Sequence, residues 1–167
     1  MIRRILWTTL AIAAGCATPQ HRTRPTPALE GVAITGVAQD PAGHEVQLGG
    51  PGAVRVIDFF ASWCEPCQKQ LPALDRLAKA YAGQVEFRAV SFDVTRPALD
   101  AFLQDHGVGF PVLWAPGGEG LATPLGVARL PTTVVVDRAG VVRWVHEGYQ
   151  HSDAERLKTQ LDELLAE

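Results

Sequence analysis

The chain reads as an α/β protein with a central mixed β-sheet flanked by helices and opened by a β-hairpin. Three observations carry that reading. Strand-like and helix-like segments alternate through the middle of the sequence, which is the pattern of a sheet with crossover helices. The run Val54 to Ala61 is almost continuously apolar, as suits a strand covered on both faces. The last third reads as a hairpin followed by an amphipathic helix, which adds antiparallel strands to a parallel centre. With 167 residues, 47% of them apolar, the chain can bury one core without staples. A net charge of −3 without clustered Lys and Arg argues against nucleic acid as a partner. No internal repeat is visible.

Taken in order, residues 1–15 read as a signal peptide: Arg3 and Arg4, an apolar run from Ile5 to Ala14, then small residues before Cys16. That run is too short to span a bilayer. Ala13-Ala14-Gly15-Cys16 resembles a bacterial lipobox, with Ala13 where that motif usually has Leu, and the resemblance implies a lipid on Cys16. It would also account for the odd cysteine, leaving one pair. Residues 16–29 are rich in proline and poor in anything to bury, so they read as a tether holding His21 in solvent.

Residues 30–167 are expected to form the domain. Val32-Ala33-Ile34 and Glu45 to Leu48 flank the turn signal Asp40-Pro41-Ala42-Gly43, which predicts the opening hairpin. After Gly49-Gly50-Pro51-Gly52 comes the central strand, Val54 to Ala61. The helix beyond Cys67 carries Leu71, Leu74, Ala78 and Tyr81 on one side, with Pro72 expected to kink it without ending it. Val85 to Phe92 is a strand. Thr95 can cap a helix from Arg96 to His106, with Leu99, Phe102 and Leu103 inward and Gly107 closing it. Val112-Leu113-Trp114 is a short strand and Pro116-Gly117-Gly118 a loop. Thr132 to Asp137 and Val141 to Val145 make the second hairpin. Ser152-Asp153-Ala154-Glu155 reads as a capping box for a helix striped with Leu157, Leu161, Leu164 and Leu165.

The chemistry concentrates where the central strand gives way to a helix. Cys64 and Cys67 stand three residues apart, with Cys64 at the first turn. There, unpaired backbone N–H groups and the positive end of the helix dipole favour a thiolate over a thiol, which arms the sulfur as a nucleophile. Cys67, one turn on, can close a disulfide with Cys64 and open it by exchange. Asp58, among Val56, Ile57, Phe59 and Phe60, is costly to bury as an anion. Either it is an edge-facing residue that reaches solvent or its pKa is raised.

Trp63-Cys64-Glu65-Pro66-Cys67 followed by Leu130-Pro131-Thr132-Thr133 resembles the thioredoxin superfamily. More narrowly, the chain from about Leu29 onward is similar to the TlpA/ResA-type membrane-tethered thiol-disulfide oxidoreductases. The helix between Asp93 and Val112, inserted into the simpler thioredoxin pattern, belongs to that subgroup, as do Gly107-Val108, Phe110-Pro111-Val112 and Pro72. The resemblance implies that Cys64 attacks, Cys67 resolves, and Pro131 is a cis-proline opposite them. Leu130 and Thr132 would then flank the place where an extended partner segment pairs. Trp63 would shield one side of the sulfur, unless it is simple core filling. Asp58 stands where thioredoxins have a buried aspartate that handles the resolving thiol's proton. Many tethered reductases have a glutamate three positions beyond the second cysteine instead, and here that position is Gln70. Glu65 has only a minor electrostatic part. The implied cofactor is none beyond the Cys64-Cys67 pair, and the implied partners are protein disulfides, a membrane electron donor and, through the lipid, a membrane.

The same residues admit competing readings. A lone Cys-x-x-Cys is half a zinc site at most, because zinc needs four ligands and there is no second pair. His44, His106, His146 and His151 read as surface or turn residues. A thiol peroxidase of the same fold usually has threonine where Ala61 stands. A Cu(I) module would use the two thiolates with His146 or His151.

Overall fold

The computed structural model describes residues 29–167. The expected signal peptide, most of the tether, His21 and Cys16 lie outside the described residues. In chain order the elements are β1 (Val37–Gln39), β2 (Glu45–Gln47), β3 (Val54–Phe60), α1 (Glu65–Ala80), β4 (Val85–Ser91), α2 (Arg96–His106), β5 (Val112–Trp114), β6 (Thr132–Val136), β7 (Val142–Glu147) and α3 (Asp153–Ala166). The strands form a seven-stranded sheet in the order β2-β1-β5-β4-β3-β6-β7. β3 pairs in parallel with β4 and β4 with β5, while the two hairpins join antiparallel at either side.

Every residue of β3 is buried, as its apolar run predicts for a strand with a neighbour on each side and cover on both faces. Val54, Val56 and Phe60 look one way and join a core with Leu71 and Leu74 of α1 and Leu161 of α3. Ile57 and Phe59 look the other way. Arg55, on that second side, is buried because its guanidinium is spent on backbone carbonyls: Leu48 O at 2.9 Å and Gly50 O.

The inward residues of all three helices gather in one cluster, on one side of the sheet. The opposite side is closed by Leu29, Ile34 and Leu48 from the N-terminal segment and by Leu121, Leu125 and Val127. The last three lie in a succession of turns, with Leu125 N–H donating to Leu121 O at 3.0 Å. Among the described residues no α-helix contributes to that second cluster.

Four local features differ from expectation. The first strand of the opening hairpin is Val37–Gln39, not Val32–Ile34, because β1 is the segment that reaches β5, pairing Gln39 with Trp114. Ala33 makes only an isolated bridge to Val141. Ser152 sits at the start of α3 in a helical conformation and makes no side-chain cap bond. Instead Asp153 folds back, its Oδ2 accepting from Gln150 N at 2.6 Å. Thr95 likewise occupies its cap position without a side-chain bond. Pro116–Gly118 is a single 3-10 turn where a loop was expected. Elsewhere the periodicities hold: α1 runs through Pro72 without ending, and α2 stops at Gly107, whose N–H still donates to Leu103 O while its φ of 57° turns the chain out of the helix.

Leu161 has no exposed surface, whereas Leu165 on the same helix is only partly buried. Leu161→Ala should cost about 2–5 kcal/mol, by lost burial and the cavity left behind. Leu165→Ala should cost clearly less, and denaturant midpoints of the two variants check the difference.

Candidate active site

Where β3 ends, the chain turns sharply through Ala61 to Cys64, closed by Cys64 N–H to Ala61 O at 3.1 Å, and α1 begins. Cys64 is the N-cap of that helix, in extended conformation (φ −86°, ψ 99°). Its sulfur takes the part usually played by a serine or aspartate oxygen, accepting the N–H of Cys67 at 3.3 Å. Cys64 and Cys67 are joined as a disulfide, with Cα atoms 5.3 Å apart. Both sulfurs lie on the helix-covered side; Cys64 is 5% exposed and Cys67 not at all. Of the pair, only Cys64 presents any surface to a partner, and a reduced Cys67 would hold its proton inside the protein.

Asp58 lies in the same core with no exposed surface. β3 is an interior strand, so the edge-facing alternative is excluded. Its Oδ1 accepts from Gln70 Nε2 at 2.6 Å and from Thr133 Oγ1 at 2.7 Å, and Gln70 Nε2 also donates to Thr133 Oγ1 at 2.7 Å. Oδ2 has no hydrogen-bond partner. Burial pushes the Asp58 carboxyl up to about 7, against the opposing pull of the Thr133 and Gln70 hydrogen bonds. Gln70 is itself buried and lies three residues beyond Cys67 on α1. Thr133 faces Asp58 directly across the β3–β6 ladder. The helix position that carries glutamate in many tethered reductases thus meets the strand position that carries the aspartate.

Leu130–Pro131 is a cis peptide bond, in accord with the expectation for Pro131. Pro131 is buried, Leu130 half-buried, and Thr132 is buried with its hydroxyl donating to Arg129 O at 2.8 Å. Trp63 is 71% exposed, which rules out core filling.

A profile of the redoxin family matches residues 24–161. The chain belongs to the redoxin family. Among its relatives, thiol-disulfide oxidoreductase ResA of Bacillus thuringiensis is 33% identical over 131 residues, covering 77% of this chain and 72% of that protein. Thioredoxin-like protein YneN of Bacillus subtilis is 30% identical over 110 residues, and the match spans 64% of each chain. Among solved structures, a Chlorobium tepidum protein assigned as thiol:disulfide interchange protein DsbE superposes with a TM-score of 0.72 at 30% identity, over 80% of this chain and 94% of that one. The exposed lipoprotein thioredoxin Etrx1 of Streptococcus pneumoniae gives 0.66 at 25% identity, over 78% and 100%. Within the redoxins the chain is thus of the ResA and DsbE type, the thiol-disulfide oxidoreductases. Among the described residues no helix is long and apolar enough to cross a membrane.

The other readings find little support in this redoxin. His146 is not a surface residue; it is buried on β7 with Nε2 2.8 Å from Gln160 Oε1, and burial holds its pKa below the usual histidine value. Among the described residues no three His, Cys, Asp or Glu cluster as metal ligands. Ala61 is wholly buried and brings no hydroxyl.

Sequence reasoning passed over Asp93, Ser62 and Gln68. Asp93, two residues beyond β4, receives Ser62 N–H at 3.0 and 3.2 Å and Ser62 Oγ–H at 2.6 Å, while Gln68 Nε2 donates to Ser62 O at 2.8 Å. The only linear signal was an acidic residue just after an apolar strand, which helix starts share.

The elevated proton affinity of Asp58 has a consequence for stability. From its ordinary value of 3.8 up to about 7, folded molecules hold the Asp58 proton and unfolded ones release it, so this group's contribution is full below 3.8 and is lost as pH rises through that window. Asp58→Asn should remove the slope, gaining stability relative to wild type as pH rises. Denaturant unfolding of both oxidised proteins from pH 4 to 8 checks it; parallel curves would contradict the assignment.

Proposed function

We propose that this chain is an exported, membrane-tethered reductant of protein disulfides, working by exchange at Cys64 and Cys67. The observation that carries the reading is the unequal placement of the two sulfurs: one at a helix N-terminus with some surface, the other fully buried on the side of the sheet where the buried Asp58 carboxyl lies. In the reduced form the Cys64 thiolate attacks a sulfur of the partner disulfide. A Cys64–partner bond forms, the partner's internal S–S bond breaks, and its second sulfur leaves as a thiolate that takes up a proton. Cys67 then gives its proton to Asp58, whose Oδ2 is free to accept it, and the new thiolate attacks Cys64 Sγ. The Cys64–Cys67 bond forms, the partner's first sulfur leaves, and two electrons have passed to the partner.

Gln70 and Thr133 keep Oδ1 occupied, so that proton exchange falls to the other oxygen. Trp63, Leu130 and the backbone around Pro131 and Thr132 supply the surface on which an extended partner segment lies. The pair needs no cofactor. It does need re-reduction by an electron-delivering membrane protein, because an exported dithiol works where the surroundings are oxidising. Apocytochrome c, whose cysteines must be reduced before haem attachment, is the substrate the family resemblance implies. Cys16 would carry the lipid, and the lipoprotein character of the Streptococcus pneumoniae neighbour supports that reading. Lipidation is checked by mass spectrometry of the protein extracted from membranes.

Cys67→Ala should stall the reaction as a mixed disulfide between Cys64 and the partner, captured on a non-reducing gel and identified by mass spectrometry. Cys64→Ala should capture nothing. In single-turnover mixing with a protein disulfide, Asp58→Asn should slow release of the partner by about tenfold or more while leaving the first attack nearly unchanged. Unaltered release, with an unaltered pH profile, would remove Asp58 from the mechanism.

A further inference from the structure

Ser62, two residues before Cys64, occupies the turn Ala61–Cys64 without contributing to its closing bond, which runs from Cys64 N–H to Ala61 O. Its own N–H and C=O must find partners elsewhere. Both do: the N–H and the hydroxyl go to the Asp93 carboxylate, and the carbonyl goes to Gln68 of α1. Asp93 is itself held from the far side. Ser91 Oγ donates to its Oδ2 at 2.7 Å, its backbone N–H reaches Ser91 Oγ at 3.0 Å, and Trp114 Nε1 donates to its carbonyl at 2.7 Å. It is 1% exposed, and among the described residues no Lys, Arg or His lies in ion-pair contact with it. A buried carboxylate held by neutral donors alone is an expensive way to fill space.

We propose that Asp93 is a positioning residue for thiol exchange: through Ser62 it fixes the turn that sets Cys64 at the start of α1 when the disulfide no longer does. In the oxidised protein the S–S bond ties Cys64 to α1 covalently. Reduction removes that tie. What then keeps the Cys64 sulfur against the Cys67 N–H is the turn, and the turn is anchored to the sheet by the Ser62–Asp93 bonds. That N–H stabilises the thiolate, so the anchor contributes more to the reduced form than to the oxidised one. Loosening it should make Cys64 less reactive at neutral pH and shift the equilibrium toward the disulfide. The role rests on Cys64 being the attacking sulfur.

Ser62→Ala removes the hydroxyl bond and keeps the fold; Ser62→Thr restores a hydroxyl. In the reduced full-length protein, iodoacetamide labelling of Cys64 below its midpoint should slow about fivefold in Ser62→Ala, with the pH profile displaced upward, and recover in Ser62→Thr. Equilibration with glutathione should show the disulfide favoured by a similar factor, about 20 mV at about 30 mV per tenfold. In an Asp93→Ala background, which removes both acceptor oxygens, Ser62→Ala should add nothing. A lower melting temperature with unchanged labelling profile and equilibrium would overturn the role, as would an equal Ser62→Ala effect in the Asp93→Ala background. Peptide mapping separates the two assignments. Labelling of wild type at Cys67 instead of Cys64 overturns the choice of attacker and this role together, whereas normal Cys64 labelling with a silent Ser62→Ala overturns only the role of Asp93. Should Asp93→Ala not fold, the Ser62 pair alone decides.

Discussion

A cysteine that caps a helix is the constraint on which this molecule turns. The N-cap must leave the strand in extended conformation, turn the chain, and offer an acceptor to the N–H groups of the first helical turn. Cys64 does all three with sulfur in place of oxygen. The same geometry puts Cys67 one turn along, on the side that faces the sheet, where it is sealed. Accessibility of one sulfur and enclosure of the other are thus a single fact about where β3 stops and α1 starts. Everything else near the site answers a need this corner creates: something must hold the turn, and something must take a proton where water does not reach.

Two buried aspartates lie near this corner, and they are held in opposite ways. Asp93 has donors on both carboxylate oxygens, and its backbone is tied to β5 as well. Such a group holds its surroundings still. Asp58 has donors on one oxygen and none on the other, and its complete burial raises its proton affinity. In the proposed mechanism such a group exchanges a proton. Gln70 makes this arrangement possible. A carboxylate on α1 at the same point would face Asp58 at hydrogen-bond distance and one of the two would have to stay protonated, whereas the amide donates. One buried carboxyl therefore stands at this place in the core.

Much of the fold was legible because it is written in local periodicity. The stripe of Leu71 and Leu74, the pair Leu99 and Phe102, and the series Leu157, Leu161 and Leu164 all turned inward, since a helix has little choice about which side an i, i+3, i+4 pattern buries. The opening strand was misplaced for the converse reason. Val32–Ile34 and Val37–Gln39 are both short and half-apolar, and what selects the second is a pairing with β5 some 75 residues away. Caps failed similarly: Ser152 and Thr95 have the right identity, but neighbouring groups left their hydroxyls unused. His146 looked like a turn residue in isolation and is buried because β7 pairs with β6 and α3 lies over it.

What the sequence by itself determined is the covalent and local part: two thiols one helical turn apart, fed by a strand too apolar to lie anywhere but the centre, and an aspartate in that strand which had to be either solvated or reluctant to ionise. Only the tertiary structure decided between those two, by packing β3 inside the sheet and α1 over it. It also brought Thr133 across the sheet to Asp58 and Asp93 across to Ser62. These are contacts between residues far apart in the chain, and they depend on strand register, which a one-residue slip would destroy. Spacing along a chain carries the chemistry of neighbours; the chemistry of a buried proton and of a held turn belongs to groups that only folding makes neighbours.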